Sequence, residues 1–241
     1  MTERIERRVV DRWFRHPPSL IAAMAGEPSV GAVRAFVLQW TKFSRLFPRW
    51  VGAIIANCPE FGVIAYEVEN LMSEVVRDPS SEDNHYELLI RLGAGVGLTR
   101  EEIERHPVLP EAHTAFEWLW TMARQPDWLL GFTAVNGLEI LGDRNLPARY
   151  GVHQGTGIAA APYASSLALD DETLEFFTVS DEADAGHGHE TVDIIARYCP
   201  AGREDAVLAV LDEAMARLRI MMDGMWELAR RIDHGTGKEG P

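Results

Sequence analysis

The chain has 241 residues and a formal net charge of −14, which argues against long-range attraction to nucleic acid or to an anionic membrane. Hydrophobic residues make up 46% and charged residues 25%, the balance of a globular protein with one sizeable core. Apolar runs stop short of a membrane span and no secretory leader pattern opens the chain. Its two cysteines, Cys58 and Cys199, lack CxxC spacing, so structural zinc and a disulfide framework are disfavoured and the expected location is the reducing cytoplasm.

Apolar residues recur at mixed spacings of three and four, which predicts helices near 4–14, 30–56, 61–77, 84–96, 111–124, 127–142, 171–199 and 203–232. Pro17-Pro18 closes the first, Pro48 bends the second, and Asp78-Pro79-Ser80-Ser81 ends the third. Gly97-Leu98-Thr99 followed by Glu101 and Glu102 reads as a helix stop and a new N-cap. Cys199-Pro200-Ala201-Gly202 opens the last helix, whose stripe runs Val207, Leu208, Leu211, Met215, Leu218, Met222, Met225 and Leu228. No run of β-branched alternation predicts a sheet. The expected organisation is one all-α domain over residues 1–241, with 234–241 as a frayed tail.

Residues able to do chemistry fall on four of these helices. Glu67, Asn70 and Glu74 share one face, and His85 follows after a short connection. Glu139 interrupts an apolar stretch flanked by Phe132 and Ile140, where an uncompensated carboxylate is costly. Ser180, Asp184 and His187 stand at i, i+4 and i+7 on one helical face. Asp184 and His187 can grip a transition metal, while the third position offers only a hydroxyl. Acids and imidazoles drawn from several helices of one bundle are the recipe for a carboxylate-bridged di-iron or di-manganese centre. Each residue also has an ordinary reading: Glu74 as a solvated charge, His85 as a cap, Trp118, Trp120 and Trp128 as core. Lys42 or Arg49 could hold a substrate carboxylate or could be plain surface cations. The glycine-rich run 151–157 reads as a connection over the bundle mouth, a candidate lid.

One order of motifs goes further. His16-Pro17, Phe36-Val37-Leu38-Gln39-Trp40, Phe47-Pro48, Asn70-Leu71-Met72-Ser73-Glu74, His85-Tyr86-Glu87-Leu88-Leu89, Gly97-Leu98, Glu139 and Phe176-Phe177 precede the Asp184/His187 pair. This order resembles the haem-oxygenase-like superfamily of PQQ-synthesis oxidases, thiaminase II proteins and non-haem dimetal oxidases, and within it the dimetal branch. The resemblance implies a single bundle of about seven to eight helices. It also implies Fe(II), two ions per chain, with O2 as cosubstrate. By position the metal ligands are Glu74, His85, Glu139, Asp184 and His187, with Glu74, Glu139 and Asp184 also catalytic. Ser180 occupies the place of a further histidine. A first iron would keep Glu74, His85, Glu139 and His187. The second would be left with Glu139 and Asp184, plus water or Ser180, unless His189 or His153 swings in or one metal suffices.

The activity so implied is that of an O2-activating oxidase or oxygenase on a small metabolite, an amino acid or a derivative of one, in biosynthesis. Lys42 and Glu67 are its candidate substrate contacts. The expected partners are that substrate, a second copy in a homodimer and an external reductant. The alternatives are a metal-free oxidase like the PQQ-synthesis enzymes, favoured by Ser180, and a non-catalytic helical binding protein. A thiaminase-like hydrolase needs an activated cysteine, and each cysteine here merely precedes a proline. A true haem oxygenase would need a proximal histidine on the first helix, and His16 sits before two prolines at its end.

Overall fold

The computed structural model describes residues 1–143, 145–152 and 166–235, without the side chains of 181–185. Helices account for the regular structure, and no strand occurs among the described residues. In chain order they are α1 (Thr2–Val9), α2 (Ser19–Gly26), α3 (Val30–Asn57), α4 (Phe61–Leu71), α5 (His85–Gly95), α6 (Arg100–Arg105) and α7 (Pro110–Ala123). There follow α8 (Trp128–Asn136), α9 (Asn145–Arg149), α10 (Glu175–Tyr198) and α11 (Glu204–Asp233). Two π-helical turns, Val10–Phe14 and Met72–Val76, prolong α1 and α4.

Side-chain caps fix three of the starts. Ser29 accepts from Ala32 N at 3.0 Å to cap α3, and Asp233 at the far end of α11 takes the Ser29 hydroxyl and Gly31 N. Asn84 caps α5 by accepting from Glu87 N at 3.0 Å. Thr99 and Glu102 close a reciprocal capping box on α6, where the sequence predicts a new N-cap. Gly97, at φ 78°, turns the chain between these two helices in the left-handed region that glycine enters without strain. α3 runs through Pro48, which leaves the Ser44 carbonyl without its helical donor.

The α11 stripe is buried along its length, from Val207 to Leu228, and packs against α3, α7 and α8. α10 lies across α5, α8 and α1. The buried apolar side chains form one contiguous cluster, with Trp50, Phe14, Phe36 and Phe132 among its largest members. Trp118, Trp120 and Trp128 pack against it. Among the described residues no helix is long and apolar enough to cross a membrane.

Two differences from the predicted elements matter for the site. The short helices α2, α6 and α9 are additional to the long ones that periodicity shows, because five to eight residues carry too little pattern to register. The single helix expected over 127–142 is broken: α8 ends at Asn136, and a 3-10 turn (Glu139–Leu141) follows. Gly137 marks the break. A Cβ there would strike the Thr133 carbonyl and stand 2.9 Å from Leu211 of α11, so only glycine allows this approach.

Candidate active site

The π turn after α4 presents Glu74, the first residue of α5 is His85, and the 3-10 turn after α8 presents Glu139. All three line one cavity of about 170 Å³, together with Ser44 of α3 and Ser180 of α10. The remaining wall is apolar and largely aromatic, with Trp13, Phe36, Trp40, Phe43, Phe47, Phe176 and Phe177. Trp40 stacks between Phe36 (5.3 Å) and Phe43 (4.7 Å), which makes one side of the wall a continuous aromatic surface.

His85 sits between two carboxylates. Its Nδ1 lies 2.7 Å from Glu74 Oε1 and its Nε2 lies 3.0 Å from Asp78 Oδ2. Burial alone would lower the imidazole pKa, but the two acids outweigh it and raise it to about 10. In the metal-free protein His85 is therefore an imidazolium that donates to both neighbours. Burial also acts to raise the Asp78 pKa, yet the bonds from His85 and from Ser80 N bring it below the ordinary carboxylate range. Asp78 lies in the turn that the sequence marks only as a helix stop, so its place behind His85 is the main site feature that motif reading misses. The Ser44 hydroxyl donates to the other oxygen of Glu74 at 3.3 Å.

Glu139 is enclosed by protein, and the exposure it keeps is onto the cavity. Burial pushes its pKa up and the charge of Glu74 adds to that, while His187, His85 and the Asn70 amide pull it back. His187, on α10, meets Tyr66 edge to face with ring centroids 6.1 Å apart. Tyr66 is itself fixed by a 2.8 Å hydrogen bond with Thr191 one turn along α10. Asp184 is on the same helix, but its side chain lies outside the described residues, as do His153 and the loop from there to residue 157.

Other expectations fall away from the cavity. Lys42 points its ammonium to the carbonyls of Ile103 (2.6 Å) and Glu104 (2.9 Å) at the end of α6, and it is not among the residues that line the cavity. Arg49 is exposed. His189 is exposed and lies 3.7 Å from Asp193, as its two-residue offset from His187 on a helix requires. Glu67 is fully buried behind the cavity wall, where Asn136 donates to it at 2.8 Å.

The donor types fit iron, which takes imidazole and carboxylate together. The Asp78–His85 contact has the form in which a carboxylate orients a histidine ligand through its second nitrogen. Among the described residues no three acidic, imidazole or thiol groups already close around a single point.

Glu74, His85 and Glu139 thus meet at one aromatic cavity within an all-helical bundle. The chain belongs to the iron-containing redox enzyme family, whose model matches residues 34–222. It is 24% identical over 205 residues to a 4-aminobenzoate synthase of Chlamydia pneumoniae, covering 85% of this chain and 82% of that one. It is 32% identical over 116 residues to a pyrroloquinoline-quinone synthase of Klebsiella pneumoniae, a match to 47% of this chain and 45% of the relative. A Shewanella denitrificans domain of unknown function with a haem-oxygenase-like fold superposes with a TM-score of 0.74 at 14% identity, over 99% of this chain and 96% of that one. A TenA homologue of Pseudomonas syringae gives 0.67 at 17% identity, over 93% and 89%. The fold is haem-oxygenase-like, and the family and its relatives support an oxidase-type enzyme.

Proposed function

We propose that the protein is a non-haem iron-dependent oxidase or oxygenase that uses O2 on a small, mostly apolar metabolite such as an aromatic or aliphatic amino-acid derivative. The observation that carries this reading is the convergence of Glu74, His85 and Glu139, from three separate elements of the fold, on one aromatic cavity with Asp78 behind the imidazole. Glu74, His85, Glu139 and His187 would hold a first iron, and Glu139 with Asp184 a second. Bound iron would supply the one-electron reactivity toward O2 that side chains of this kind lack.

The chain's own residues have defined tasks in this proposal. The stacked wall of Phe36, Trp40 and Phe43 binds the apolar body of the substrate and excludes bulk water. Asp78 fixes the tautomer and ring plane of His85. A metal held by His85 would displace a ring proton, so uptake would release a proton. A homodimer and an external reductant complete the proposal.

The test is iron retained per chain after anaerobic Fe(II) loading and desalting, beside a His187→Ala control and with O2 uptake followed on re-aeration. About two irons per chain, reduced in the control, is the expected result. No retained iron, with zinc and manganese equally absent, would overturn it. A metal-free oxidase would then lead, because both nitrogens of His85 are already engaged by carboxylates and position 180 offers a hydroxyl to the cavity.

A further inference from the structure

Behind the cavity wall, Glu67, Asn70 and Asn136 are at most 2% exposed. Asn136 Nδ2 donates to Glu67 Oε1 at 2.8 Å. Three further polar atoms of this group, Glu67 Oε2, Asn70 Nδ2 and Asn136 Oδ1, have no hydrogen-bond partner among the described residues. Asn70 stands close enough to Glu139 to pull its pKa down, yet its Nδ2 makes no bond of good geometry. Buried polar atoms without partners are costly, and three in one neighbourhood ask for a shared solution.

Their chemistry supplies it. Asn70 Nδ2 is a donor and Asn136 Oδ1 an acceptor, while Glu67 Oε2 accepts when ionised and donates when protonated. Burial holds the Glu67 carboxyl up at about 8, so near neutrality its protonated form prevails and it can donate. One water placed among them would accept from Asn70 and from Glu67 and donate to Asn136, with one hydrogen left over.

We propose that Glu67, Asn70 and Asn136 enclose a structural water behind Glu139, and that Glu67 is a positioning residue for the Glu139 carboxylate. This rests on the reading of Glu139 as an iron ligand. The role needs hydrogen bonds from Glu67 and not its charge, which sets it apart from the carboxylates that line the cavity.

Two measurements test it. A high-resolution crystal structure of the metal-free protein is expected to show an ordered water within hydrogen-bond distance of all three atoms, and a dry site would overturn the proposal. Anaerobic Fe(II) titration should find Glu67→Gln within about twofold of wild type. Glu67→Leu, which keeps volume and removes the bonds, should bind about tenfold to a hundredfold more weakly. If Glu67→Leu fails to fold, Asn70→Ala takes its place with the same expectation. Glu67→Gln binding as poorly as Glu139→Gln would make Glu67 itself a ligand and overturn the positioning role. Wild-type affinity in Glu67→Leu would overturn it as well. A wild-type protein that takes up no iron would sink the iron reading, and the crystal structure would still decide the water.

Discussion

Asp78→Asn is the most informative single substitution. It changes one oxygen to an amide and leaves the shape of the turn. In the native site Asp78 Oδ1 accepts from Ser80 N at 2.7 Å, and Oδ2 faces the His85 Nε2–H at 3.0 Å. The asparagine oxygen can keep the Ser80 bond, which leaves its NH2 pointing at an imidazole N–H, donor against donor. The side chains are 3% and 11% exposed, so the discount for surface pairs does not apply. Breaking a buried charge-assisted contact costs about 3 kcal/mol. For a chain of this size that is a fall in Tm of roughly 6–12 °C.

The assay is thermal unfolding of the metal-free protein at pH 7, beside Fe(II) titration, where loss of the orienting carboxylate should weaken binding about tenfold to a hundredfold. A double-mutant cycle with His85→Gln isolates the pair: in that background Asp78→Asn should cost little. The pH dependence is a further check. The folded pKa of His85, about 10, lies above the ordinary 6.5, so the stabilisation is full below pH 6.5 and is lost as pH rises through 10. Asp78→Asn should shrink that alkaline loss. A variant that melts within about 1 °C of wild type and binds iron equally well would refute the reasoning.

Glu67 behaves the same way in a lower window. Its pKa rises from 4.5 to about 8 on folding, so wild type should lose stability between those pH values, by on the order of 4 kcal/mol at most. Glu67→Gln should flatten that slope in denaturant unfolding at pH 5 and pH 8, and an unchanged slope would count against a neutral Glu67. Ser180→His adds an imidazole to the cavity wall and is expected to raise the iron that survives desalting. Equal retention would mean that position 180 lies too far from the metal. Gly188→Ala places a Cβ 3.0 Å from Asp143 Cβ and 3.1 Å from the Glu139 carbonyl, so α10 must move off the 3-10 turn. The expected loss is about 1–3 kcal/mol in thermal unfolding together with weaker iron binding, and wild-type values in both would show that the contact can give.

The long helices were legible because each buries one stripe, and burial leaves its period in the sequence. The α11 run from Val207 to Leu228 is the plainest case, since every member of the predicted stripe is buried. Glu139 was legible for the opposite reason, as a carboxylate that an apolar stretch does not tolerate without cause. The turns that aim these residues were not legible. A π turn at Met72–Val76 and a 3-10 turn at Glu139–Leu141 differ from α-helix by where one hydrogen bond goes, and packing of neighbouring helices decides that. Lys42 shows the same limit: its sequence position allows a substrate contact, and only the end of α6 beside it reveals the carbonyls it serves.

The separation of Glu74 from His85 carries this point furthest. By sequence, the run Arg77 to Asp83 lengthens the gap between Glu74 and His85. In the fold that run closes on itself, with Arg77 N donating to Met72 O at 2.8 Å and Asp78 N to Asp83 O at 3.0 Å. Its outer end is tied down as well, because Arg91 pairs with both Asp83 and Glu175. The closure returns His85 to within 2.7 Å of Glu74 and delivers Asp78 to the far side of the ring. The segment that lengthens the gap in sequence is thus the segment that orients His85, and Glu175 fastens it to the helix that carries Ser180 and His187.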